Sequence, residues 1–210
     1  MFLEVTKKDI KAELRGKTIL CLMLLFSLTS AALFSLSLPN PSEFFAPLIL
    51  LIFIFSGMLG YSMAFLKEFD LGTIEGIKSS PLSPQQIVIG KILFNLLLML
   101  MVQLIATPIC FGLFDVSGDF VTTFLVLTVC NSSLAITISA ASPLAAHSRG
   151  RELLLPVMMF PLLFPVISTS ISALNYALVG IVNLTSIAFL IAYSGIVLSV
   201  LILVADYFFY

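Results

Sequence analysis

Apolar residues in this chain neither alternate with polar ones nor keep to one stripe of a surface helix. They run in six continuous blocks, at about 18–38, 44–66, 87–114, 120–146, 153–175 and 187–206. A membrane-crossing helix takes about 20 such residues, whereas a membrane β-barrel needs strands of about ten residues with alternating hydropathy. The pattern therefore predicts an all-α membrane protein with six transmembrane helices, folded as one membrane domain over 1–210.

Polar residues sit where these blocks begin. Asn40-Pro41-Ser42-Glu43 places an Asn cap, a first-turn proline and a Glu three positions on, and Ser83-Pro84-Gln85-Gln86 repeats the arrangement. Asp119 is a cap for the fourth block, and Asn183 or Thr185 for the sixth. Ahead of the first block, 1–17 reads as a cytoplasmic entry helix. Lys7, Lys8, Lys11 and Arg15 fall on one stripe, and Leu3, Ile10 and Leu14 on a narrow apolar one. The first apolar run is too long for a signal-peptide core, and its flank carries Glu4, Asp9 and Glu13, so it is expected to be retained as a span.

Composition agrees. Hydrophobic residues make up 60% of the chain and charged ones 10%, far below the roughly 25% of a soluble domain. That leaves no material for a soluble catalytic domain. The distribution of charge says more than its sum. All ten basic residues fall at one end of the predicted bundle: Lys7, Lys8, Lys11, Arg15 and Lys17 before the first span, Lys67, Lys78 and Lys91 around the second loop, and Arg149 and Arg151 around the fourth. The opposite loops hold Glu43, Asp115 and Asp119. Positively charged loops stay in the cytoplasm, so both termini are expected there, in a multi-pass protein of the cytoplasmic (inner) membrane.

Side chains that could carry chemistry are few. No block has an ionisable residue near its middle, which argues against an ion-coupled transporter. Asn95, Gln103 and Asn131 are the main polar side chains inside the spans and read first as interhelical hydrogen-bonding groups. His147 is the single histidine and has no companion ligand nearby. Cys21, Cys110 and Cys130 show no metal spacing and read as small buried apolar residues. Gly90-Lys91 superficially resembles the end of a phosphate-binding loop, but the first glycine is missing and Ile92 stands where Ser or Thr is required. No catalytic residue, metal site or nucleotide site is expected in the chain, nor any contact with nucleic acid.

Two features bear on packing. Ser56, Gly60 and Ala64 form a ridge of small residues suited to close helix contact. Pro156, Pro161 and Pro165 remove backbone donors from the fifth block and suggest a kinked or broken helix that could line a pathway, its freed carbonyls satisfied by neighbouring helices or water.

The most patterned loop is 66–91, of which 66–86 reads as the loop proper. Its charges are mixed, and Phe69, Ile74 and Ile77 form a small apolar face. Physical reasoning alone leaves both a docking element for another subunit and a solvated connector open. The run Phe65…Asp70…Gly72-Thr73-Ile74-Glu75…Ser80-Pro81-Leu82-Ser83…Gly90-Lys91 resembles the coupling loop of ABC-2-type permeases. It resembles most closely the cytochrome c maturation haem-exporter protein B family (CcmB). Leu154-Leu155-Pro156…Phe160-Pro161-Leu162…Pro165-Val166 in the fifth block is also similar.

The resemblance implies an ABC-2 permease bundle in which Asp70, Gly72, Thr73, Glu75, Pro81, Leu82 and Lys91 belong to the element facing a separate ABC ATPase. It implies ATP used only through that partner, haem as a substrate rather than a bound cofactor, and work beside a haem-handling membrane protein and a haem chaperone. A homodimer or a pairing with a second six-span chain is also implied. Whether haem itself crosses or a haem-loaded chaperone is released stays open. So do an ABC-2 permease for a drug, lipid or polysaccharide and a non-transporting assembly scaffold.

Overall fold

The computed structural model describes residues 15–70, 83–146 and 151–209, together with Thr6, Ile10, Lys11 and Glu13; the side chains of 62–70, 141–146, 151–158 and 206–209 lie outside that description. Six helices among the described residues are long and apolar enough to cross a membrane. They are α1 (Thr18–Ser37), α2 (Phe45–Asp70), α3 (Pro84–Leu113), α4 (Phe120–Ala146), α5 (Arg151–Leu178) and α6 (Leu184–Phe209). The protein is an all-α, six-span membrane protein.

Several helices outrun the apolar blocks. α2 continues through Leu66–Asp70, so the first five residues of the expected loop are helical, and α3 begins at Pro84, three residues before its block. The early start of α3 follows from Ser83. Its hydroxyl accepts from the Gln86 amide and its own amide donates to the Gln86 side chain, each at 3.4 Å. That capping box satisfies donors a helix start otherwise leaves bare.

The other caps follow the same logic with one exception. Asn183 rather than Thr185 caps α6, its Oδ1 accepting from the amides of Thr185 (3.1 Å) and Ser186 (3.3 Å). Asn40 does not cap α2 with its side chain. The chain enters through a 3-10 turn over Pro41–Phe44, and the Asn40 amide donates instead to the Glu43 carboxylate at 3.3 Å. The acid three residues on captures the donor. α5 ends in a Schellman turn: Gly180 adopts φ +79°, its amide bonds the Ala177 carbonyl, and the Ile181 amide reaches Tyr176.

In section, α4 is the hub, packed against α2, α3, α5 and α6, while α1 lies outside against α2 and α3. Burial follows this plan. In the span windows 61% of α2 and 56% of α4 is buried, against 22% of α1 and 11% of α6. α1 and α6 thus turn most of their surface outward, where Leu25, Leu33, Ile196 and Leu203 suit hydrocarbon. Cys110 and Cys130 are buried as expected; Cys21 is exposed, because it lies on the outer face of α1.

Lipid tails are as apolar as leucine, so close fit and polar bonds hold such helices together. The small ridge on α2 supplies the fit. The Ser56 hydroxyl donates to the Met23 carbonyl at 3.3 Å, and the fully buried Met23 side chain lies where a Cβ on Gly60 would stand. Ala64 lies among the side chains outside the description. One residue round from Ser56, Gly57 admits Met99 and Ile138 from α3 and α4.

Opposite the entry segment, at the end carrying Glu43, Asp115 and Asp119, aromatic packing and backbone bonds close the bundle. Phe45 meets Phe111 edge-on at 4.8 Å between ring centres, and the Asp119 amide donates to the Leu178 carbonyl at 3.0 Å. Asp119 caps α4: its carboxylate accepts from the Thr122 hydroxyl and, at 3.3 Å, from the Val121 amide. The Thr122 hydroxyl bond, with the Val121 and Thr122 backbone bonds behind it, holds this carboxyl below the usual carboxylate range. Because the folded value is the lower one, the cap stabilises above the ordinary carboxylate pKa and is lost as pH falls through the folded value. The protection of the Val121 amide, taken relative to the intrinsic exchange rate at each pH, should therefore fall on acidification, and Asp119→Asn should remove that loss.

Candidate functional site

Three regions could carry function: the end bearing the entry segment and Lys91, the interior seam between α3 and α4, and α5. At the first, the expected coupling residues divide. Asp70 is the last residue of α2, with its side chain outside the description, and Gly72, Thr73, Glu75, Pro81 and Leu82 lie outside the described residues. Lys91 is half-buried in the second turn of α3, directly after the buried Gly90. The helices on either side of the loop are therefore defined: α2 up to Asp70, and α3 from its capping box at Ser83.

The entry segment closes over this end. Thr6, Ile10, Lys11, Glu13, Arg15 and Gly16 are helical, with Lys11 and Arg15 exposed and Ile10 packed against the main core. Thr6 is buried and its hydroxyl donates to the Gly90 carbonyl at 3.1 Å. Glu13 is also buried, and its Oε1 accepts from the first amides of α1, Ile19 at 2.6 Å and Leu20 at 2.9 Å. Reading the sequence, Glu13 counted only as a charge interrupting a basic flank. Its place one helical turn ahead of the Lys17–Thr18 boundary was the signal that it could fold back as a cap.

Inside the bundle, the three amides anticipated from sequence meet on one seam. Asn131 Nδ2 donates to the Met99 carbonyl and to Gln103 Oε1, both at 3.0 Å. Gln103 Nε2 donates to Thr128 Oγ1 at 2.9 Å, and Asn95 Nδ2 to Ser139 Oγ at 3.0 Å. These bonds run between α3 and α4 and engage every amide nitrogen of the set. The amides act as interhelical glue. Among the described residues, the side-chain carbonyl oxygens of Asn95 and Asn131 and the buried hydroxyls of Thr107 and Thr123 carry no hydrogen-bond partner.

Interhelical hydrogen bonds in bilayers are worth about 0.6 kcal/mol on average and up to about 1.7 kcal/mol. Asn131→Leu, which removes two of them and leaves Gln103 Oε1 without its Asn131 donor, should cost about 1–2 kcal/mol of unfolding free energy in bicelles. A neutral result would show that the amide ladder does not hold α3 to α4.

α5 carries Pro156, Pro161 and Pro165 within one uninterrupted helix, so the chain is not broken there. Pro161 is exposed and Pro165 half-buried; the Pro156 side chain lies outside the description. The Tyr193 hydroxyl of α6 donates to the Leu162 carbonyl at 2.7 Å, in the turn the prolines weaken, and the Thr169 hydroxyl bonds the Pro165 carbonyl at 2.8 Å. A neighbouring helix and a local hydroxyl thus bond backbone carbonyls around the prolines. Among the described residues no cluster of three His, Cys, Asp or Glu side chains is placed to hold a metal ion.

The profile of the family described as CcmB protein matches residues 1–206, from the entry segment through nearly all of α6. The chain belongs to the CcmB family. No curated protein matches it. Membership makes this a multi-pass ABC transporter permease of haem transport in cytochrome c biogenesis, in a family of permease subunits and not of catalytic enzymes. The two runs that carried the resemblance, the loop between α2 and α3 and the prolines of α5, both fall inside the matched region.

Proposed function

We propose that this chain is the membrane subunit of an ABC complex that delivers haem for c-type cytochrome assembly, driven by a separate ATPase. The observation that carries the proposal is the family match over 1–206, joined to six spanning helices and a sequence whose basic residues all fall before the first span or around the second and fourth loops. Those segments face the cytoplasm, in the cytoplasmic (inner) membrane, by the rule that basic loops are retained there. The ATPase docks on the segment between α2 and α3. Asp70, Gly72, Thr73, Glu75, Pro81 and Leu82 form the contact, and Lys91 marks where the push enters α3.

A rigid, capped helix start at Ser83 suits this role, because a load applied to the loop is then passed to α3 and not absorbed by fraying. α5, with its three prolines and an exposed Pro161, is the helix proposed to face the pathway. A second copy or another six-span chain completes that pathway, with the haem-handling membrane protein and the haem chaperone beside it. Haem is the cargo and ATP is used by the partner.

The test is a pulldown of the tagged full chain from membranes, with identification of any ATPase and an absorption spectrum for haem, beside a deletion strain. Co-purification of an ATPase and loss of c-type cytochromes are expected. Intact cytochromes in the deletion strain would overturn the haem assignment, and export defects with normal cytochromes would point to another ABC-2 substrate.

A further inference from the structure

The entry segment makes two buried side-chain contacts, one to α3 and one to the first amides of α1, to which the permease reading gives no task. Its first anchor is Thr6, 3% exposed, whose hydroxyl bonds the Gly90 carbonyl of α3. Two helical turns on is its second anchor, Glu13, 7% exposed, whose Oε1 accepts from the amides of both Ile19 and Leu20. First-turn amides have no partner within their own helix and sit at the positive end of its dipole. A carboxylate there forms charge-assisted bonds, stronger than those of a neutral cap.

Between Glu13 and these amides the backbone turns sharply. Lys17 has φ +51°, a left-handed conformation that costs a side-chain-bearing residue about 1–2 kcal/mol. Such a residue persists only where its surroundings fix it. Here the Lys17 amide donates to the Glu13 carbonyl while the Glu13 side chain holds the far side of the bend. Without the carboxylate, the left-handed conformation of Lys17 loses its support and the residue samples right-handed conformations as well, so the entry segment and α1 no longer meet at one angle. Glu13 therefore sets the angle between them.

We propose that Thr6 and Glu13 make the entry segment a strut that ties the start of α1 to the start of α3, so that displacement of the 66–91 loop is delivered to α1 as well as to α2 and α3. The strut rests on the coupling role proposed above for that loop. Glu13 touches no cargo; it is a positioning residue acting through α1. It works through the geometry of an acceptor oxygen, which Gln also supplies and Ala does not.

The full chain in lipid nanodiscs offers a direct measurement. Cys21 is exposed while Cys110 and Cys130 are buried, so spin labels on Cys21 and on Lys11→Cys, itself an exposed position, report the bend. The Cys21–Lys11→Cys pair should give a narrow distance distribution, kept in Glu13→Gln and broadened in Glu13→Ala. In Glu13→Ala the Ile19 and Leu20 amides should exchange roughly tenfold faster, the scale of a lost cap. A narrow distribution in Glu13→Ala overturns the elbow.

In cells Glu13→Ala should lose c-type cytochromes while Glu13→Gln keeps them. Broadening with normal cytochromes overturns the relay. The deletion strain separates the two ideas: if deletion removes cytochromes and Glu13→Ala does not, the relay is wrong, and if neither does, the haem assignment is wrong. Should Glu13→Ala fail to accumulate, Thr6→Val, which keeps the shape and removes the hydroxyl bond to α3, should still lower cytochrome yield several-fold. Full yield with normal accumulation overturns the strut.

Discussion

Gly60→Leu is expected to leave almost no folded protein in the membrane. A Cβ at residue 60 would stand 2.9 Å from Met23 Cε and 3.0 Å from Met23 Cγ, so a leucine there must displace the side chain of a completely buried methionine. Overfilling a tight contact by one or two carbons costs about 1–3 kcal/mol, and a leucine at this position adds four, so the loss should be about 3 kcal/mol or more. The damage extends along α2, because separating α1 from α2 also breaks the bond from Ser56 to the Met23 carbonyl. Steric-trap unfolding in bicelles measures the loss. The diagnostic partner is Met23→Ala. In the double variant the shortened side chain vacates the site, and stability should recover by more than Met23→Ala alone would allow. Normal accumulation of Gly60→Leu would show that α1 and α2 do not meet at this point.

The second large effect is functional. Replacing both Asp70 and Glu75 by lysine should cut c-type cytochrome yield by about a hundredfold or more, because like charges set against each other at an interface cost several kcal/mol. Accumulation in the membrane should be unchanged, since Asp70 is the last residue of α2 and Glu75 lies beyond it. The neutral pair Asp70→Asn and Glu75→Gln should have a smaller effect, separating charge from shape. Full cytochrome yield in the lysine variant would remove the coupling role from this loop and favour an assembly scaffold.

Most of the bundle was readable because a bilayer leaves so little choice. A run of about 20 apolar residues in hydrocarbon must be a helix. The three amides were equally readable as glue, since a carboxamide in a span finds a partner on a neighbouring helix. What could not be read was anything depending on which faces meet. Met23 is one of 8 methionines, and nothing local marks it as the knob that fills the notch at Gly60. Asn40 looked like a cap until Glu43 took its side-chain amide, a competition decided by ångström differences. Leu66–Asp70 read as loop because charge enters there, yet a helix already formed continues readily past its apolar part. Glu13 was obscured by averaging: as one acid in a basic stretch it lowers the amphipathicity, and only the bend at Lys17 turns it towards α1.

The seam between α3 and α4 also bears on how the chain is made. The Asn131 amide nitrogen would be left wanting in hydrocarbon if α4 entered the bilayer alone, and the groups that answer it, the Met99 carbonyl and Gln103 Oε1, belong to α3, the helix synthesised immediately before it. The Met23–Gly60 and Ser56 contacts link α1 and α2 in the same way, and the Tyr193 hydroxyl ties α6 to α5. These needs are met between helices adjacent in the chain, whereas Ser35 reaches the Leu113 carbonyl of α3 and Ser133 the Leu190 carbonyl of α6. The nascent protein can therefore leave the translocon as three hairpins that lock to one another as each later one arrives.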